Sequence, residues 1–470
     1  MRRAICLAAL ALASACSNGP IVSPSPPPPC DVSHQVGCGA GLYCEVVGSS
    51  SGCFAPVVVS GTVVDPIAPT SIAGARVVAL DTNRAPVSTV ATSSALGAWK
   101  LAVHAARDAN GKPVSASITL RSDAQGYQTF PGGIRTALPI DLSTAALLSG
   151  RWVVSGPLTA IQLLPLPNAG TGRIEGTVTG AAGVAAPLVV AEPQGATTVA
   201  TATAVAGSDG AYALFNLEPG VKYVVTPYAR GANWAASAPT LPAAPAIVDF
   251  AAPSPTAATV NGSLIFRTGA NTSVDVELVI ESTYDTTLDR GEAPPGLAMH
   301  VTGNTGYAFS GVPDGHYRVL AAFGMDGDVR DQSSTGNATP PTVDVSGGAS
   351  APASAAFAIT PAVDLVSIGD AAVGIDPVVT VTTAQPVFAW TNAGATNANL
   401  FRVYVFDAFG NEMWPPQDVA GASSMSIQYA GDPLVAGQYY QLRIVAIKTT
   451  GGVNIQSQTE DVLGVFTYRP

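Results

Sequence analysis

Apolar residues along this chain come in short alternating runs. Val59-Ser60-Gly61-Thr62-Val63 and Phe401-Arg402-Val403-Tyr404-Val405-Phe406 set the pattern. Such runs of Val, Ile, Thr and Tyr, bounded by turn-forming residues, predict half-buried strands. The turn formers are plentiful, with Gly 48 and Pro 38 in 470 residues. No stretch carries Leu, Glu, Lys and Arg at helical spacing, so long helices are not expected. The predicted class is all-β, built of tandem antiparallel β-sandwiches.

The runs recur in order. Val59-Ser60-Gly61-Thr62-Val63 returns as Ile174-Glu175-Gly176-Thr177-Val178 and again as Val260-Asn261-Gly262-Ser263-Leu264. The central glycine predicts a bend or bulge in a first strand. Gly97-Ala98-Trp99-Lys100-Leu101 returns as Gly210-Ala211-Tyr212-Ala213-Leu214 and as Gly306-Tyr307-Ala308-Phe309, each a turn feeding a strand that bears an aromatic. Leu217-Glu218-Pro219-Gly220 and Val312-Pro313-Asp314-Gly315 are tight turns before Tyr223 and Tyr317. Each copy closes with an apolar strand near a proline. A repeat of about a hundred residues is a whole domain and not a solenoid unit. The expected sandwiches span 57–167, 171–253 and 257–361, each an independently folding bead.

These marks resemble the carboxypeptidase regulatory-like modules, whose fold is a transthyretin-like sandwich. Gly74-Ala75-Arg76-Val77 fits their second strand and Gly126-Tyr127 their late Gly-Tyr. The resemblance implies an accessory unit without catalytic residues. Residues 362–470 differ: Pro386-Val387-Phe388-Ala389-Trp390 puts a Trp on a strand, and Tyr439-Tyr440 precedes Leu442-Arg443-Ile444. This part resembles a fibronectin type III domain. The resemblance implies a buried Trp390 and a corner Tyr440 whose hydroxyl bonds the backbone.

The chain opens with Arg2-Arg3, an apolar run from Ile5 to Ala13, and Ala13-Ser14-Ala15-Cys16. This resembles the signal and lipobox of bacterial lipoproteins. It implies a signal peptide over 1–15 and lipidation at Cys16; an ordinary secretory signal is the alternative. Ser17 stands where an inner-membrane retention signal commonly has Asp, so an outer-membrane address is expected. The segment 16–29 is proline-rich, ending in Pro26-Pro27-Pro28-Pro29, and predicts a stiff polyproline II stalk of at most about 40 Å. The lipid would hold the protein on a membrane.

Cys30, Cys38, Cys44 and Cys53 fall within residues 30–56. In an exported chain they predict a small segment held by two disulfides, with three pairings open. Zinc, with His34 as an extra ligand, is the alternative, although no Cys-x-x-Cys pair is present.

Charge narrows the partners. Charged residues make up 11% and the net charge is −11, with no basic run, so a nucleic-acid partner is not expected. The four histidines show no metal-ligand spacing, and no nucleophile elbow is present, so the chain is not expected to be an enzyme. Asp326-Gly327-Asp328-Val329-Arg330-Asp331 alternates aspartates in a Gly-containing loop. Asp326, Asp328 and Asp331 are therefore a candidate calcium site, set against a plain solvated loop. No other cofactor is expected. The expected function is that of a non-catalytic envelope lipoprotein in structural or adhesive contact with an envelope protein or polysaccharide. Carbohydrate binding through Trp99, Trp152, Trp234 or Trp414 is one alternative, and an accessory role in a hydrolase system is another.

Overall fold

The structure is a computed structural model. It describes residues 30–32, 35–181, 183–195, 200–241, 245–271, 273–303, 306–321, 327–333, 336, 339–349, 356–374, 378–392 and 397–470. The signal, Cys16, the stalk, His34 and Asp326 lie outside the described residues. The described residues are strands and loops with three single 3-10 turns. Among them no helix is long and apolar enough to cross a membrane.

Tyr43–Val47 and Ser50–Phe54 form a hairpin in which Cys44 faces Cys53. These cysteines do not bond to each other. The disulfides are Cys30–Cys44 and Cys38–Cys53, each tying a loop residue to a strand. With separations of 14 and 15 residues, each contributes about 3 kcal/mol by restricting the unfolded chain. All four thiols are thereby consumed, which displaces the zinc alternative.

This small collar is docked on the next unit. Arg107 is 2% exposed, and its Nε donates to the buried Glu45 carboxylate. Its Nη2 donates to the Ala55 carbonyl at 2.9 Å, and its backbone N–H donates to the Val46 carbonyl at 2.7 Å. Burial raises the Glu45 carboxyl above its ordinary value, against the opposing pull of Arg107 and of the Ala105 N–H.

Three similar sandwiches follow. In the first, Val57–Asp65 pairs antiparallel with Ala98–Val103 and parallel with Arg151–Val154 and Ala160–Gln162. A second sheet holds Arg76–Leu80 beside Ser117–Asp123. Trp99, Leu101 and Val103 point inward while Ala98, Lys100 and Ala102 are exposed. The second sandwich repeats the plan, with Gly172–Thr177 between Ala211–Leu217 and Ala246–Ile247. In the third, Thr259–Phe266 lies between Gly306–Ser310 and Phe357–Pro361. The repeated first-strand glycine has a steric cause. The chain returning beside the first strand crosses directly over it. A Cβ on Gly61 would lie 1.8 Å from the Thr159 carbonyl oxygen, and one on Gly176 would lie 1.9 Å from that of Val248.

The last unit packs Leu365–Ile368, Val387–Thr391 and Ser424–Gln428 against a sheet centred on Leu400–Asp407 and Tyr439–Lys448. Trp390 is fully buried. The Val435 N–H donates to the Tyr440 hydroxyl at 2.6 Å. Tyr223 and Tyr317 behave alike. The Glu218 N–H donates to the Tyr223 hydroxyl, and the Tyr317 hydroxyl donates to the Pro313 carbonyl. Each tyrosine seals the turn that precedes it.

The expected sandwiches pack directly on one another. Strands Arg76–Leu80, Leu188–Pro193 and Ser273–Ile280 are buried nearly end to end, not at alternate positions. Val77 and Ala79 enter the first core, while Val78 and Leu80 join the apolar cluster built around the third sandwich. Val189 and Ala191 fill the second core, while Leu188 and Val190 join that same third cluster. Both faces of these strands are therefore covered, which explains how the chain manages with so few charges. The last unit joins through a smaller cluster containing Ile134, Leu164, Leu288, Ala408 and Val465.

Candidate functional site

Besides Arg107 at the collar, two buried arginines of the first sandwich mark places where units meet. Arg121, on Ser117–Asp123, sits where the first three sandwiches converge. Its Nε and Nη2 grip Asp123 at 3.1 and 3.2 Å, and its Nη1 donates to both oxygens of Glu292 at 3.0 Å. Its Nη2 also donates to the Thr203 hydroxyl at 2.9 Å. Asp123, Glu292 and Thr203 belong to the first, third and second sandwiches. Burial pulls the guanidinium down, but Asp123 and Glu292 outweigh it and hold the group above its ordinary value. Nearby, the buried Glu277 pairs with the partly exposed Arg84. Burial raises the Glu277 carboxyl, with Arg84 opposing.

Arg135 lies at the other meeting place, between the first sandwich and the last unit. A tight turn fixes its backbone: the Gly132 and Arg135 N–H groups each donate to the other's carbonyl. That turn presses on the last unit. A Cβ on Gly133, whose φ is +56°, would lie 2.4 Å from the Ala408 carbonyl oxygen, and Gln128 Nε2 donates to that same oxygen at 3.1 Å. The Arg135 guanidinium is flanked by the rings of Phe130 and Tyr439, at 5.2 and 5.3 Å. Its Nη1 donates to the Gln162 carbonyl. Its Nε and Nη2 are buried without a partner. Burial lowers its pKa to about 10, so it stays charged at neutral pH. Arg135 lines a cleft of about 370 Å³ together with Leu138, Leu158, Val378, Thr380 and Arg469. Among the described residues, no carboxylate lines it.

The residues singled out from sequence fall elsewhere. Asp328 accepts from the Asn271 N–H at 3.2 Å. Asp331 is paired with Arg267 at 2.7 Å and accepts from the Ser333 N–H at 2.9 Å. Among the described residues, the one group of three potential ligands close enough for a metal is Cys30, Cys38 and Cys53, which are in disulfides. Trp99, Trp234 and Trp414 are core residues of the first, second and last units, and Trp152 is half-buried against the first core. His300 and His316 make exposed cross-strand pairs with Asp275 and Asp344. Neither Arg121 nor Arg135 stands out in the sequence. The one available signal is that cations are scarce, so each one inside an apolar strand or turn is unusual.

No protein-family profile and no curated protein matches the chain. Solved structures give weak likenesses. A DUF3823 family protein from Bacteroides ovatus is 14% identical, covering 45% of this chain and 98% of its own, with a TM-score of 0.20. BcpA, the major pilin subunit of Bacillus cereus, is 12% identical over 64% of this chain and 97% of its own, at 0.17. The shaft pilin SpaA from Lactobacillus rhamnosus GG is 12% identical over 42% and 97%, also at 0.17. Superpositions this poor establish no shared function. The all-β sandwich architecture rests on the strands and sheets themselves.

Proposed function

We propose that this protein is a lipid-anchored envelope protein whose fused sandwiches form a rigid, non-catalytic head for structural or adhesive contact. The observation that carries this reading is the junction at Arg121, where three sandwiches share one buried charge cluster. A chain of loosely linked binding modules has no need of such a lock, whereas a head that bears load or presents a fixed surface does. The collar supports the same reading. Two disulfides and the buried Arg107–Glu45 pair stiffen the point where the proline-rich segment meets the head. Cys16 carries the lipid, and the stalk lifts the head from the bilayer, on the outer membrane.

Intact-mass analysis of the native protein, combined with fractionation of Cys16→Ser, tests this. The expected result is acyl mass on a chain that begins at Cys16, and release of the variant from membranes. Crosslinking in intact cells is expected to capture an envelope component only when the head is anchored. An unacylated native chain, or a variant that stays with the membrane, would refute the anchoring.

A further inference from the structure

We infer that the cleft between the first sandwich and the last unit binds a carboxylate carried on an apolar body, with Arg135 as the recognition group. The inference stands apart from the anchoring proposal and rests on three features of the cleft.

The first is the unpartnered edge. Nε and Nη2 form the side of a guanidinium that meets a carboxylate with two parallel hydrogen bonds. Among the described residues, Arg121 on Asp123, Arg402 on Asp418 and Arg443 on Asp461 use that same edge in that way. Arg135 is only 5% exposed, and in it this edge has no partner. Buried charges are ordinarily paired, so an unpaired one beside a cleft points to an anionic guest.

The second is electrostatic. The cleft contains Arg135 and Arg469, and among the described residues no lining carboxylate competes for them. In a chain of net charge −11, a local excess of cation is a departure that favours an anionic guest.

The third is the nature of the walls. Leu138, Leu158, Val378 and Val462 offer apolar surface, and the volume of about 370 Å³ falls at the lower end of the range for small-molecule sites. Phe130 and Tyr439 shield the guanidinium faces and leave recognition to its edges. Because Nε and Nη2 are closed to water, entry includes a small parting of the wall. A hydrated inorganic anion gains little from that. An anion with an apolar body regains it by covering the walls.

Calorimetric titration of the full chain in detergent tests the inference with four probes: benzoate, its neutral isostere benzamide, galacturonate and inorganic phosphate. Benzoate is expected to bind at least about tenfold tighter than each of the others. Arg135→Gln is expected to erase that preference. Leu138→Trp, which fills the cleft and keeps the arginine, is expected to weaken benzoate by at least about tenfold; each variant is checked for native near-ultraviolet dichroism. Equal binding of benzoate and benzamide, or no binding of benzoate, would overturn the inference. So would tighter binding of phosphate or galacturonate, or an affinity unchanged in Leu138→Trp.

Discussion

Arg121 and Arg135 belong to the same sandwich, are both buried, and both sit where units meet, yet they are built in opposite ways. Arg121 spends its donors on Asp123, Glu292 and Thr203. Arg135 has one backbone acceptor and two aromatic faces, with its carboxylate-gripping edge unused. The first is held above the ordinary arginine value, and the second is pushed down to about 10. A buried cation with two carboxylates acts as a bolt between units. The same cation without them destabilises the fold and keeps a buried edge unpaired.

The largest effect is expected from removing the bolt. Arg121→Met leaves Asp123 and Glu292 without their buried counter-charge, and is expected to lower stability by about 3–5 kcal/mol in urea unfolding. Arg135→Met is expected to do the reverse. A depressed arginine pKa means its contribution to stability is present only above the ordinary arginine value and is lost as pH falls through about 10. At neutral pH the fold therefore bears the penalty, and an apolar replacement should be neutral or stabilising by about 1–2 kcal/mol. A loss matching that of Arg121→Met would erase the distinction.

Glu277 lies between these extremes, a buried carboxylate with a half-exposed partner. Its raised pKa gives a contribution present below the ordinary value of 4.5 and lost as pH rises through its folded value. As pH falls from neutral to 4.5, the native chain should therefore gain stability relative to Glu277→Gln. Urea midpoints of both proteins at the two pH values give the difference directly, and an unchanged gap between them would contradict a burial penalty that Arg84 only partly offsets. The smallest effect is expected on the surface. Arg402 grips Asp418 with the same two nitrogens, at 2.7 and 2.9 Å, but in solvent. Arg402→Ala should change stability by about 0–1 kcal/mol in the same urea assay.

The alternating runs made the strands legible, because one face of each sheet looks inward and period two records it. The pairing of Val57–Asp65 with the strand bearing Trp99, and its counterparts at Tyr212 and Tyr307, follows the repeated motifs residue for residue. The central glycines were legible as special, though the cause for Gly61 and Gly176, the crossing carbonyls of Thr159 and Val248, lies far along the chain. The junctions were not legible. Val78 and Leu188 sit on what period two marks as outer faces, and only the tertiary arrangement covers them. Arg121 and Glu292 are 171 residues apart, and a lone sequence carries no trace of that pairing. For the same reason Arg135 could not be told from a surface arginine. The tryptophans considered as sugar platforms are held in the cores of their own units, with Trp152 half-buried at the edge of one.

Scanning calorimetry of the full chain and of Arg121→Met shows whether the first three sandwiches are one welded body. The sandwiches spanning 57–361 are expected to melt in a single transition, with calorimetric and van't Hoff enthalpies in agreement, and the substitution is expected to split it. Three separate transitions already present in the native chain, each unmoved by the substitution, would contradict it.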